Sequence, residues 1–169
     1  MPFRHPDRSA DLVTRIEFEV RERVEEAVDH VCLEALVQTR RARGLPPPSA
    51  DSAADKEAYT ANVVEFLEQL RREITADIAP ELLAKLPEAD ARGGDAQARL
   101  VAAQVVLARS LPDYWQRFDA ARTRYLVEVP RGDADRDRTA RRGDASGSGD
   151  DVSSGSEGRG LLARLFGRR

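Results

Sequence analysis

Apolar residues at spacings of three and four dominate the first forty positions of this chain. Val13, Ile16, Val20, Val24, Ala27, Val31 and Ala35 fall on one helical face, and Glu17, Glu19, Arg21, Glu22, Arg23 and Glu25 cover the other. The pattern predicts a first helix from about Ser9 to Arg43. Gly44 follows Arg40, Arg41 and Arg43, a glycine stop with cations at the negative end of the helix dipole. Pro46, Pro47 and Pro48 then forbid continuation. At about 1.5 Å per residue such a helix is about 50 Å long, the length of an arm in an elongated bundle.

A second helix is announced by Ser52 with Asp55 three residues on, a capping box in which Asp stands for Glu. Tyr59, Val63, Phe66, Leu67, Leu70, Ile74 and Ile78 form its stripe. Pro80 ends or kinks it, residues 81–86 read as a short elbow helix closed by Pro87, and residues 88–94 read as a loop. Asp95 is a good N-cap for a third element with Leu100, Val101, Val105 and Leu107 on its core side. Pro112 disfavours helical geometry at Leu111 and interrupts this arm. Helix resumes through Tyr114, Trp115, Phe118, Ala121, Tyr125 and Leu126. The expected fold is all-α. It is an elongated antiparallel three-helix bundle over residues 8–129 with its third arm broken at Pro112, or a four-helix bundle if the two halves of that arm count separately.

After Val129 and Pro130 the periodicity stops. In the segment 130–158, residues 131–158 contain one aliphatic side chain larger than Ala, Val152, amid Ser, Gly, Asp and Arg. Such a stretch cannot bury enough surface to offset its ordering entropy, so it is expected to be a disordered linker. Residues 159–169 then read Arg-Gly-Leu-Leu-Ala-Arg-Leu-Phe-Gly-Arg-Arg. On a helix Leu161, Leu162, Leu165 and Phe166 cluster on one side, with Arg164 and Arg168 away from them. Two turns cannot hold a helix alone in water, so this tip is expected to fold on contact with a partner. Leu161, Leu162, Leu165 and Phe166 would anchor it, and Arg164, Arg168 and Arg169 would steer. The competing plain reading is a frayed end rich in Arg and Leu.

Charge and composition narrow the partner. Arg outnumbers Lys heavily, with Lys56 and Lys85 the only lysines, as a GC-rich coding bias produces. The acids nevertheless exceed the bases overall, for a net charge of −3, while residues 159–169 carry four arginines and no acid. An acidic domain argues against binding along a phosphate backbone, and the Arg40, Arg41 and Arg43 cluster reads as a charged helix end. A groove on a protein would take the leucines and Phe166 as helical anchors. An anionic membrane would take the arginines, with shallow insertion of the apolar face. The protein reading is preferred, because one short helix is a marginal anchor. Folded domain, linker and short amphipathic segment together are similar in layout, though not in motif, to cargo proteins recruited into bacterial protein shells.

Catalytic chemistry is absent from the pattern. Cys32 is the single cysteine, with no Cys-x-x-Cys partner, and no disulfide can form within the chain. Glu26 and His30 sit one helical turn apart but supply only two metal ligands, and Glu-x-x-His pairs of the di-iron type are missing. Gly93-Gly94 lacks the Lys-Ser/Thr of a phosphate loop. Neither a cofactor nor a metal is expected. No signal-peptide core or spanning apolar run occurs, which predicts a cytoplasmic protein, recruited through its tip to a protein assembly or a membrane surface. Tyr114 and Trp115 are adjacent and diverge by about 100° on a helix, so both cannot face inward. One of them is expected to be a second contact, for a partner or for another copy in a homo-oligomer. The expectation is a non-enzymatic adaptor.

Overall fold

The structure is a computed structural model and describes residues 12–87 and 95–143, with side chains as far as Val129. Among the described residues five helices follow one another: α1 (Leu12–Ala42), α2 (Ala53–Thr75), α3 (Pro80–Leu83), α4 (Ala96–Ser110) and α5 (Tyr114–Gly143). No strand occurs among the described residues. The chain forms an all-α bundle, as its periodicity predicts.

Local chemistry sets the helix ends. At the end of α1 the Leu45 amide donates to the Arg40 carbonyl at 2.9 Å and the Gly44 amide to Arg41 at 3.1 Å. This paired pattern needs a left-handed residue, and Gly44 supplies it with φ +68°. Ser52 caps α2 by accepting from the Asp55 amide at 3.2 Å. The reciprocal half of the expected capping box is diverted. The buried Asp55 instead accepts the Ser49 amide at 2.9 Å and pairs with Arg40 of α1. Arg40 in turn donates to the Pro46 carbonyl at 2.6 Å, so one ion pair clamps the proline connection and both helices beside it. Asp95 caps α4, accepting from the Gln97 amide at 3.0 Å. Leu111 is extended, with φ −106° and ψ 117°, as a residue before proline should be.

Cross-helix contacts give the directions. Arg40 of α1 meets Asp55 of α2, and Tyr59 reaches back to Asp29, so α1 and α2 run antiparallel. Arg117 pairs with Asp77, Arg124 with Glu73, and Tyr125 donates to the Asn62 carbonyl at 3.2 Å, so α5 opposes α2. Arg109, at the end of α4, pairs with Glu17 near the start of α1. Both α4 and α5 pack on α1 and on α2 but scarcely touch one another. The break at Pro112 is therefore a reversal. The last two long helices are separate arms on either side of the α1–α2 pair, the four-helix count of the two weighed above.

The core is built from the expected stripes. Val24, Val28, Val31 and Ala35 of α1 meet Val63, Phe66, Leu67 and Leu70 of α2, all fully buried. Phe66 packs edge-on to Phe118 at 5.6 Å and lies 5.1 Å from Tyr125, closing the α5 side. Two features depart from the sequence expectation. Val13 and Ile16 belong to the α1 stripe yet are 51% and 43% exposed, because α4 ends beside Glu17 and leaves the earlier turns uncovered. In addition, α5 continues as helix to Gly143, through Pro130 and into the segment expected to be linker. A packed helix needs no new nucleus to propagate, and Ala and Arg are good helix formers.

Candidate functional site

Between α1 and α5 the surface opens into a groove of about 400 Å³. Residues at helical spacing build each wall. Arg23, Glu26, Ala27 and His30 come from one face of α1, and Trp115, Asp119 and Arg122 from one face of α5. Phe118, almost wholly buried, and Val31 form the floor.

Trp115 is half-buried at the rim. Its ring packs edge-on to Tyr114 at 5.1 Å and lies 5.5 Å from Phe118, while the Arg23 guanidinium sits over it at 4.2 Å. That cation–π contact holds the indole in one orientation. Arg122 is held at the opposite end by Glu34 of α1 at 2.9 Å. The groove thus presents a braced aromatic plate, with the exposed carboxylates Glu26 and Asp119 and the imidazole of His30 around it.

Of the adjacent aromatic pair, Tyr114 turns inward. It is fully buried, and its hydroxyl donates to Gln104 of α4 at 3.1 Å. Burial pushes the Tyr114 phenol above its ordinary range. Trp115 is the member of the pair that reaches the surface. Glu26 and His30 share the groove wall as their spacing predicts. Among the described residues no group of three or more His, Cys, Asp or Glu side chains gathers as a metal site would require. The tip residues Leu161, Leu162, Arg164, Leu165, Phe166, Arg168 and Arg169 lie outside the described residues.

Cys32 is buried, and its thiol is pushed well up, chiefly by burial and then by the charge of Asp29. A thiol kept protonated is a poor nucleophile. Beside it, Asp29 accepts a hydrogen bond from the Tyr59 hydroxyl at 2.6 Å inside the α1–α2 interface. Burial and the Asp29 carboxylate together raise the Tyr59 phenol far above its usual range. This cluster holds two helices together, and the space beside it is small: among the described residues Tyr59 lines a pocket of about 10 Å³ with Leu33, Leu36 and Asp55.

Sequence reasoning found Trp115 and the Glu26–His30 pair but not the groove that unites them. Each wall carries an i, i+4, i+7 signal readable in the sequence. Which wall faces which was not readable, because that pairing depends on the reversal at Pro112. Among the described residues no helix is long and apolar enough to cross a membrane. No family model, no curated protein and no solved structure matches this chain.

Proposed function

We propose that this protein is a non-enzymatic adaptor whose helical bundle carries a C-terminal amphipathic segment, residues 159–169, that docks on a partner protein or protein shell. The observation that carries this reading is in the sequence. Four large apolar side chains, Leu161, Leu162, Leu165 and Phe166, follow a stretch that holds almost no hydrophobe, at spacings that would place them on one face of a helix. Buried in full, they would contribute about 6–12 kcal/mol, from which ordering and association subtract several. A single tip therefore binds weakly and acts through multiplicity. The half-buried Trp115 in an open groove supports a second contact on the bundle.

The test compares the full chain with a chain ending at Gly158, in recovery of bound protein and in flotation with anionic liposomes. Loss of a specific protein partner on truncation supports the adaptor. Loss of flotation alone assigns the tip to lipid and replaces this reading with a peripheral membrane protein. If truncation changes neither, residues 159–169 are not a docking segment.

A further inference from the structure

The first turns of α1 extend the groove wall into a strip, apolar at Leu12 and Ile16, that no described residue covers. Leu12, Ile16, Glu19, Arg23, Ala27 and His30 recur at spacings of three and four and share one face of α1. The later members form a wall of the α1–α5 groove. The earlier ones lie open, with Leu12 66% and Ile16 43% exposed. Strip and groove form one surface about 27 Å long at helical rise, with Trp115 standing beside it.

Its exposed charge leans acidic. Of the arginines lining the groove, Arg23 is committed to the Trp115 ring and Arg122 to Glu34. Glu19 lies within the strip, Glu26 flanks it on α1 and Asp119 faces it from α5, all three exposed. Residues 159–169 have the opposite character, four arginines and no acid beside four apolar side chains. Folded as a helix, they would be about 16 Å long and fit within the strip.

We propose that this strip and Trp115 form the docking surface for residues 159–169 of a second copy of this chain. The inference rests on the reading of those residues as a docking segment and names their partner. The leucines and Phe166 would cover Leu12, Ile16 and the Trp115 edge, while the arginines face Glu19, Glu26 and Asp119.

Chain length selects a second copy over the chain's own tip. From Trp115, α5 runs to Gly143, about 40 Å of helix leading away from the groove. If residues 144–158, Ser- and Gly-rich in sequence, behaved as a flexible chain, they would span about 20 Å r.m.s., about half of that distance, so a chain's own tip would reach back only with them held near full extension of about 50 Å. Two copies exchanging tips satisfy both surfaces at once in a closed two-fold pair. Each weak contact then raises the effective concentration of the other.

The experiment uses the full chain and its single tryptophan. Sedimentation and Trp115 emission are followed through a dilution series for the wild type, for Ile16→Asp on the exposed strip and for the tip double variant Leu162→Asp/Phe166→Asp. The expected wild type is a dimer that dissociates on dilution with a parallel change in Trp115 emission. Each variant alone is expected to associate at least tenfold more weakly. Mixed together, the two variants should recover one contact, because one retains its tip and the other its strip. Three results overturn the proposal: a wild type that stays monomeric at about 200 μM, association that survives the tip substitutions, or a Trp115 response to the tip that does not depend on concentration. If truncation at Gly158 abolishes capture of a partner but the strip and tip substitutions leave self-association unchanged, the adaptor stands and this inference falls.

Discussion

The Tyr114 hydroxyl donates to the Gln104 side-chain oxygen at 3.1 Å inside the core, and this bond ties α4 to α5 across the reversal at Pro112. Gln104 is fully buried, and its amide nitrogen has no partner. Half-satisfied polar groups in a core are costly, and the cost depends on which partner is removed. Tyr114→Phe strips the remaining bond and is expected to destabilise the bundle by about 1–3 kcal/mol. The double change Gln104→Leu/Tyr114→Phe removes both polar groups at similar volume and is expected to recover most of that loss. Denaturant midpoints at unchanged m-value test the pair. A double variant no more stable than Tyr114→Phe alone would contradict the account.

Tyr59 and Asp29 make the corresponding bond between α1 and α2 at 2.6 Å, here to a carboxylate. Tyr59→Phe is expected to cost about 1.5–3 kcal/mol, the range for a hydrogen bond to a charged group. The same site predicts behaviour in base. Burial first, and then Asp29, holds the folded Tyr59 pKa above the ordinary value of 10.0. The stabilisation is complete below about pH 10 and is lost as pH rises through the folded value, because only the unfolded chain ionises there readily. Ultraviolet titration should show tyrosinate from Tyr59 appearing together with loss of helical circular dichroism. A reversible phenolate signal from Tyr59 with the helix content intact near pH 10 would sink the prediction.

The Arg40–Asp55 clamp works in the opposite pH direction. The Ser49 amide, and then the Arg40 guanidinium and the Ser52 hydroxyl, hold the Asp55 carboxyl below its ordinary 3.8. A depressed carboxyl contributes stability above its unfolded pKa that disappears as pH falls through the folded value. Thermal unfolding of the wild type should therefore fall off below about pH 4. Asp55→Asn should be less stable at neutral pH and show a shallower acid slope. Equal slopes in the two proteins would remove Asp55 from the acid response.

Gly44 offers a test of backbone alone. A side chain added there meets nothing within 4 Å, yet φ is +68°. Gly44→Ala should cost about 1–2 kcal/mol through left-handed strain and not through a clash. Gly44→Asn should cost less, because Asn tolerates this region. A neutral Gly44→Ala in chemical denaturation would show that the turn relaxes.

Much of the fold is written locally. The Ser52 and Asp95 caps, the Gly44 stop and the extended Leu111 each follow from one or two residues and their hydrogen-bonding capacity. The α2 stripe from Tyr59 to Ile74 is buried as its spacing predicts. The candidate site was legible only in pieces. Trp115 had to diverge from Tyr114, but which of the two would be buried depended on where α4 placed Gln104.

What the sequence by itself determined, short of the continuation of α5 to Gly143, is the run of helices as far as Val129, the Ser52 and Asp95 caps, the Gly44 stop, the apolar face of each helix, and the acidic bundle set against a basic tip. Those follow from interactions between residues a few positions apart. Only the tertiary structure decided that the chain reverses at Pro112, so that α4 and α5 flank α1 and α2. It alone decided that Val24 is buried while Leu12 and Ile16, on the same helix, are open. It also brought Glu26 and His30 opposite Trp115. A periodic stripe states that a face is apolar and says nothing about what will cover it, because covering is a contact between residues far apart in the chain.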